Sequence, residues 1–270
     1  MIYFTLRGGL CNMMFQIAAV TSLALDKKTK PSFGNLEQQL NYLNNENHFN
    51  PNLKHSSEYR KLNFFNDMIT EKSPKNVKIY SYPFHYEKIE IEGDNAILDG
   101  FFQSEKYFKN NEKEIRELFK PTKEITEKIE SKYGDILKNN ETTSIHVRRG
   151  DYVRNQNHHP VLKMGYYNEA IKLTKNKTDK YLVFSDDILA CKEMFKGDDF
   201  IFIENEKDYL ELYLMSMCKN NIIANSSFSW WGAWLNQNEN KTVIGPKKWF
   251  GINYSNMKSD DIIPNDWVKI

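Results

Sequence analysis

Three short polar clusters carry the side chains most suited to chemistry: Arg148-Arg149-Gly150-Asp151, Ser185-Asp186-Asp187 and Asn225-Ser226-Ser227. Each follows a segment that reads as a strand. Arginine is always charged and grips phosphate oxygens through parallel N–H bonds, so two arginines leaving a strand suit a diphosphate. Carboxylates such as Asp186 and Asp187 accept from the N–H edge of guanine or from a ribose diol. Asn225, Ser226 and Ser227 stand ahead of an apolar helix, where capping side chains and free N–H groups form an anion site. Each cluster also has a plainer reading: a surface ion-pair group, an aspartate N-cap ahead of Ile188, and capping alone. Asp151, His159 and Glu105 are the candidates to accept a proton from an attacking hydroxyl, with Asp151 preferred.

The missing motifs narrow the chemistry. The chain has no Gly-Lys-Ser/Thr, no His-Glu-x-x-His and no Asp-x-Asp. It is therefore not a P-loop protein, and the usual manganese-dependent layout for nucleotide sugars is lacking. Arginines and a helix N-terminus would have to neutralise a diphosphate in place of a metal. Near the N-terminus, Gly8 and Gly9 permit close backbone approach to a ligand, with Asn12 just beyond them. Trp230, Trp231 and Trp234 read as core in preference to a sugar platform.

Positioning these groups requires strands that alternate with helices. Ile2–Leu6 reads as a strand, Arg7–Asn12 as a loop and Met13–Leu25 as a helix with Met14, Ile17, Ala18 and Leu25 on its buried face. Residues 30–95 show few clear periods. Strands are expected at 95–98, 143–147, 181–184, 200–203, 221–224 and, as the last, 242–244. Helices are expected at 112–120, 124–138, 166–175, 188–195, 207–218 and from 228 to 235. This alternation argues for α/β architecture with a parallel sheet, in which ligands bind outside the carboxyl ends of strands. A boundary is expected within 120–142, dividing the chain into 1–130 and 131–270.

Composition sets the frame. The 270 residues hold 37 Lys and Arg against 36 Asp and Glu, a balance that gives no whole-chain field for nucleic acid. Cys11, Cys191 and Cys218 show no paired or zinc-ligand spacing and read as reduced buried thiols. No apolar run is long enough to span a membrane, and no basic leader precedes the first strand. A cytoplasmic protein is expected.

The motifs together resemble a known family. Gly8-Gly9-Leu10-Cys11-Asn12-Met13-Met14-Phe15-Gln16 looks like the N-terminal signature of the α-1,2-fucosyltransferases of glycosyltransferase family 11. Residues Gly100 to Phe108 are similar to its middle signature. His146 to Tyr152 matches its HxRRGDY motif, Tyr181 to Asp187 its strand-plus-SDD motif, and Asn221 to Leu235 its last motif. The ordered matches run from residue 7 to about 246. Cys11 stands where the family usually has Gly, Met13 where it usually has Gln, and residues 30–95 match poorly.

The resemblance implies a GT-B-like pair of Rossmann-type halves, the C-terminal one for GDP-fucose and the N-terminal one facing the acceptor. It implies inverting, metal-independent transfer of L-fucose to the 2-hydroxyl of a galactoside, on an oligosaccharide or glycoconjugate, with no cofactor. Arg148 and Arg149 would clamp the diphosphate, His146 would line the donor site, and Asp187 would read guanine or ribose. Asn225, Ser226 and Ser227 would complete the donor site, the serines on phosphate, and Asn12 would reach the fucose-phosphate end. The alternatives are another nucleotide sugar or linkage on the same fold, and a sugar-nucleotide-binding protein without turnover.

Overall fold

The structure is a computed structural model that describes residues 1–44 and 59–270. These residues divide into two compact units. The first gathers 1–44, 59–120 and 257–264, and the second gathers 121–256 and 265–270.

The first unit is built on a four-stranded sheet. Its elements are β1 (Ile2–Phe4), α1 (Leu10–Asp26), β2 (Pro31–Ser32), α2 (Leu36–Asn44), β3 (Ile79–Ser81), β4 (Ala96–Asp99) and α3 (Glu112–Leu118). The strand order is β2-β1-β4-β3, and every pairing is parallel. Tyr3 stands opposite Ile97, so the loops after β1 and β4 leave the sheet side by side. The α1 helix differs from its sequence reading. It begins at Leu10, not Met13, and every residue from Met13 to Val20 is buried. A helix buried all round shows no single apolar stripe, and Leu25, expected inside, is exposed. Within 30–95 the structure supplies β2 and β3, too short for a periodic signature, and α2, which was not expected although Leu36, Leu40 and Leu43 are buried at i, i+4, i+7 spacing. The part of that stretch from 45 to 58 lies outside the described residues.

The second unit opens with α4 (Lys123–Asn139), whose N-cap Thr122 accepts from the Ile125 N–H at 3.3 Å. Ile125, Ile129 and Tyr133 form its buried stripe. Then come β5 (Thr142–Val147), α5 (Met164–Thr174), β6 (Lys180–Ser185), α6 (Ile188–Met194), β7 (Phe200–Phe202) and α7 (Asp208–Met217). β8 (Asn220–Ile222), α8 (Ser227–Leu235), β9 (Val243–Gly245) and β10 (Val268–Lys269) complete it. β10 was not expected; a two-residue strand is fixed by its pairing with β9, not by any pattern of its own.

The six strands are parallel and ordered β10-β9-β8-β5-β6-β7. The chain winds outward from β5 to β7, then returns to the other side of β5 and winds out to β10. The order therefore reverses between β5 and β8, which is where open α/β sheets hold ligands. β5 is buried along its whole length although it reads Thr-Thr-Ser-Ile-His-Val. Its polar side chains are bonded internally: Thr143 Oγ1 lies 2.6 Å from Thr178 Oγ1, and Ser144 Oγ accepts from Asn221 Nδ2 at 2.7 Å. Ile145, Val147, Val183, Ile222 and Ile244 join Tyr167 and Ala170 of α5 in the core.

Trp230 and Trp231 are fully buried and pack edge to face at 5.1 Å, as core residues. The three cysteines are buried and form no disulfide, and burial pushes the Cys191 thiol up to about 11 and that of Cys218 up to about 12. Among the described residues, no helix is long and apolar enough to cross a membrane.

Candidate active site

β5, β6 and β8 all end on one edge of the second sheet, and Val147 stands level with Ser185. The polar clusters after them consequently meet. Arg148 Nη2 donates to Asp151 Oδ1 at 2.6 Å, and Arg148 Nη1 lies 2.8 Å from Asp186 Oδ2. Asp186 Oδ1 accepts from the Arg149 backbone N–H at 2.9 Å. Arg149 Nε donates to Asp187 Oδ2 at 2.8 Å. Two guanidinium groups are thus held by three carboxylates. The acids fix the arginines in place before any ligand arrives. Arg148 is the more enclosed, its side chain 18% exposed against 28% for Arg149, and its guanidinium also lies over the Tyr152 ring at 5.2 Å. Arg149 commits Nε to Asp187, which leaves the terminal fork as the natural donor to an anion.

Asp187 serves two purposes. Its Oδ1 caps α6 by accepting from the Ala190 N–H at 3.2 Å, while Oδ2 holds Arg149. The Arg149 hydrogen bond keeps its carboxyl below the usual aspartate range. The plainer reading of a helix cap holds for this residue, and the same carboxylate is the charged partner of Arg149.

After β8, Ser226 is the N-cap of α8 and accepts from the Phe228 N–H at 3.4 Å, and Ser227 is the first helical residue. Positive N-terminal dipole and free N–H groups stand here beside the reversal point. Asn225 is used structurally: Nδ2 donates to Pro160 O at 3.0 Å and to Trp249 O at 3.1 Å. Its Oδ1 is buried without a partner.

His146, on β5 itself, is 5% exposed and its Nδ1 is buried without a partner. Burial, with Arg148 nearby, pushes its pKa down to about 3, so the imidazole is neutral at physiological pH. His159 is also lowered, chiefly by burial, and stacks on Tyr152 at 4.9 Å. Burial raises the Tyr152 phenol to about 12, and its hydroxyl donates to Asn225 O at 3.1 Å.

The segment carrying Asp151 and His159 is stitched to the one after Trp249. Gly251 N donates to His158 O, and Asn253 N donates to Asn157 O, both at 2.8 Å. A Cβ at Gly251 would stand 2.3 Å from Asn157 O. Gly251→Ala should therefore force the two segments apart and cost about 1–3 kcal/mol, the usual range for overpacking. Urea unfolding checks this; a wild-type midpoint would show that the close approach is dispensable.

Asn12 belongs to the first unit, in the first turn of α1. Gln103 Nε2 donates to its Oδ1 at 2.8 Å. The Arg7-Gly8-Gly9 loop is held by Gln16, which accepts from Arg7 N–H at 3.0 Å and donates to Arg7 O at 3.1 Å. Glu105, the remaining base candidate, is in the first unit and pairs with Lys109 at 2.9 Å. Arg148, Arg149, Asp151, His146, Asp187, Asn225, Ser226 and Ser227 all belong to the second unit.

A sequence profile described as glycosyl transferase family 11 matches residues 1–270. The chain belongs to glycosyl transferase family 11. It is a glycosyltransferase, with α/β units and parallel sheets in the GT-B class. An Escherichia coli alpha-1,2-colitosyltransferase is 38% identical over 182 residues, covering 63% of this chain and 61% of that protein's length. The E. coli O-antigen biosynthesis glycosyltransferase WbnK is 31% identical over 306 aligned positions, covering 97% of this chain and 99% of that protein. In structure, the α-1,6-fucosyltransferase NodZ, soaked with GDP-fucose, shares the fold at a TM-score of 0.51 and 14% identity, covering 87% of this chain and 92% of NodZ.

Two residues of the second unit's cluster and one beside Asn12 in the first unit do not stand out in the sequence. Asp186 was read only as part of a cluster, yet it is the enclosed partner of Arg148. Tyr152 is legible only as a motif position, yet its ring and hydroxyl join Arg148 to Asn225. Gln103 lies within the middle signature and bonds Asn12. Each was visible as a motif position, but no local pattern names its partner.

Proposed function

We propose that this family 11 enzyme transfers L-fucose from GDP-fucose to the 2-hydroxyl of a galactoside, with inversion and without a metal. The observation that carries the reading is the pair Arg148 and Arg149, held in place by Asp151, Asp186 and Asp187 at the sheet reversal. Beside it stand the N-terminus of α8 and the unpartnered Nδ1 of the neutral His146. The α-1,2 linkage in the colitosyltransferase relative's name supports the 2-hydroxyl assignment.

In this reading Arg149, Arg148 and the Ser226-Ser227 turn receive the diphosphate, and Asp187 takes guanine or ribose. The acceptor oxygen attacks the anomeric carbon from the face opposite GDP. The bond from that carbon to the phosphate oxygen breaks, and GDP leaves with the electron pair. The acceptor proton passes to a base, for which we assign Asp151. Charge grows on the leaving diphosphate as the bond lengthens, so guanidinium groups already fixed in place stabilise the transition state most. Asn12 meets the fucose-phosphate end. The buried cysteines, none in a disulfide, suit a reducing compartment, in keeping with a cytoplasmic enzyme.

GDP release from GDP-fucose, measured in EDTA with and without lactose, tests this. Lactose-stimulated release giving a fucosylated product is expected, and Asp151→Asn should slow it. Loss of turnover in EDTA would sink the metal-free assignment, and a full-rate Asp151→Asn enzyme would remove the base. The colitosyltransferase relative favours one second reading, a donor carrying a different deoxysugar. Turnover with GDP-colitose but not GDP-fucose would establish it.

A further inference from the structure

The first sheet also reverses, and its reversal brings two amides together. β1 and β4 are neighbours in the order β2-β1-β4-β3, although β2 and β3 lie between them in the chain. The loop after β1 leads to Asn12, and the segment after β4 leads to Gln103. Gln103 Nε2 donates to Asn12 Oδ1 at 2.8 Å, across 91 positions of sequence. Gln103 is 7% exposed, so water competes little for this bond.

The surroundings fix both partners. Gly8 has a φ of +81°, and a Cβ there would stand 2.8 Å from Asn12 Nδ2. Only glycine leaves room for the Asn12 amide in this orientation. Phe102, immediately before Gln103, is held in the left-handed region at φ +54° although it is not glycine. Such a conformation persists only where packing enforces it. Here the fully buried Phe102 ring meets Tyr107 at 4.9 Å and Phe4 and Tyr82 at 5.9 Å each. On the other side of Gln103, Ser104 Oγ donates to Asp261 O at 2.8 Å. A strained residue and an anchored one thus bracket the glutamine.

A carboxamide is chemically two-faced, with an acceptor oxygen and a donor nitrogen. Because Gln103 donates to Oδ1, it selects which end of Asn12 is left to act. We propose that Gln103 is a positioning residue for the transfer reaction: it holds the Asn12 amide so that Nδ2, an N–H donor, is presented to the sugar-phosphate oxygens of the donor. This rests on the reading that Asn12 meets the donor substrate.

Gln103→Glu is the informative change. A carboxylate at 103 cannot donate to Oδ1 but accepts from Nδ2, so it turns the Asn12 amide over. Gln103→Met keeps the volume and removes the hydrogen bond, and Asn12→Ala removes the positioned group. Steady-state kinetics with GDP-fucose and lactose, alongside thermal unfolding, are measured for each variant and for Asn12→Ala/Gln103→Met. The expected result is a kcat about tenfold lower in Gln103→Glu with KM for GDP-fucose unchanged, as for an interaction made only in the transition state. The double variant should be no slower than Asn12→Ala alone, because the two residues act as one unit. Wild-type kcat in Gln103→Glu, or a double variant that loses the product of the two single effects, would overturn the proposal while leaving the transferase reading intact. A wild-type enzyme that turns over no GDP-fucose would remove the donor assignment, and this inference with it.

Discussion

Arg148→Ala is expected to lower the transfer rate about 10²–10³-fold, by analogy with the loss of a charge-stabilising donor elsewhere. It should also destabilise the second unit, which a purely substrate-binding arginine would not do. The reason is Asp186, whose side chain is 8% exposed and whose Oδ2 faces Arg148 at 2.8 Å. Removing one partner of an enclosed ion pair strands the other and costs about 3–5 kcal/mol. Arg149→Ala should match the loss in rate with a smaller loss of stability, since Asp187 is 37% exposed and keeps its bond to the Ala190 N–H. GDP release and denaturant unfolding separate the effects. Adding Asp186→Asn to Arg148→Ala should restore stability without restoring turnover. Near-normal activity in both single variants would end the assignment of a diphosphate clamp.

Acid should weaken the fold through His146, and the sign follows from which state takes the proton. The folded pKa is pushed down to about 3, below the ordinary value of 6.5, chiefly by burial and further by Arg148. The unfolded chain therefore binds a proton as pH falls below 6.5, while the folded chain does not until about 3. Stability contributed by the neutral ring is fully present above pH 6.5 and is lost progressively as pH falls to about 3. At 1.36 kcal/mol per unit, the loss between pH 6.5 and 5 is about 2 kcal/mol. His159, also lowered by burial, acts in the same direction. Urea unfolding at pH 7 and pH 5 should show a smaller pH-dependent loss in His146→Asn than in wild type. Equal slopes in the two proteins would show that His146 is not the responsible group.

Much of the second unit was legible before its structure. Its central strands β5, β6, β8 and β9 are buried, β6 and β9 read as short apolar runs, and polar residues follow β5, β6 and β8 where the chain leaves the sheet. That is why Arg148, Asp187 and Ser226 could be placed at strand ends from their neighbours alone. Helices such as α4, expected at 124–138, carry a capping threonine and a periodic stripe within their own segment. The first unit was less readable because its signals are weak. β2 spans only Pro31–Ser32, too short for any alternation. α1 is buried nearly all round, and its N-cap Gly9 makes no side-chain capping bond, so neither its face nor its start stands out.

The sequence by itself determined which groups are present for chemistry: paired arginines, carboxylates, a capping Asn-Ser-Ser, and no Asp-x-Asp. It also placed them in order, because local composition governs strand and helix formation within a few residues. Tertiary structure decided who meets whom. Arg149 reaches Asp187 across 38 positions through the successive paired strands β5 and β6, and Gln103 reaches Asn12 across 91 through β1 and β4, which reversal of sheet order makes neighbours. No local propensity encodes that order; it follows from burying whole sheet faces at once. The same packing turned His146 from an ordinary titratable histidine into a neutral one, since desolvation exists only after the core has closed around it.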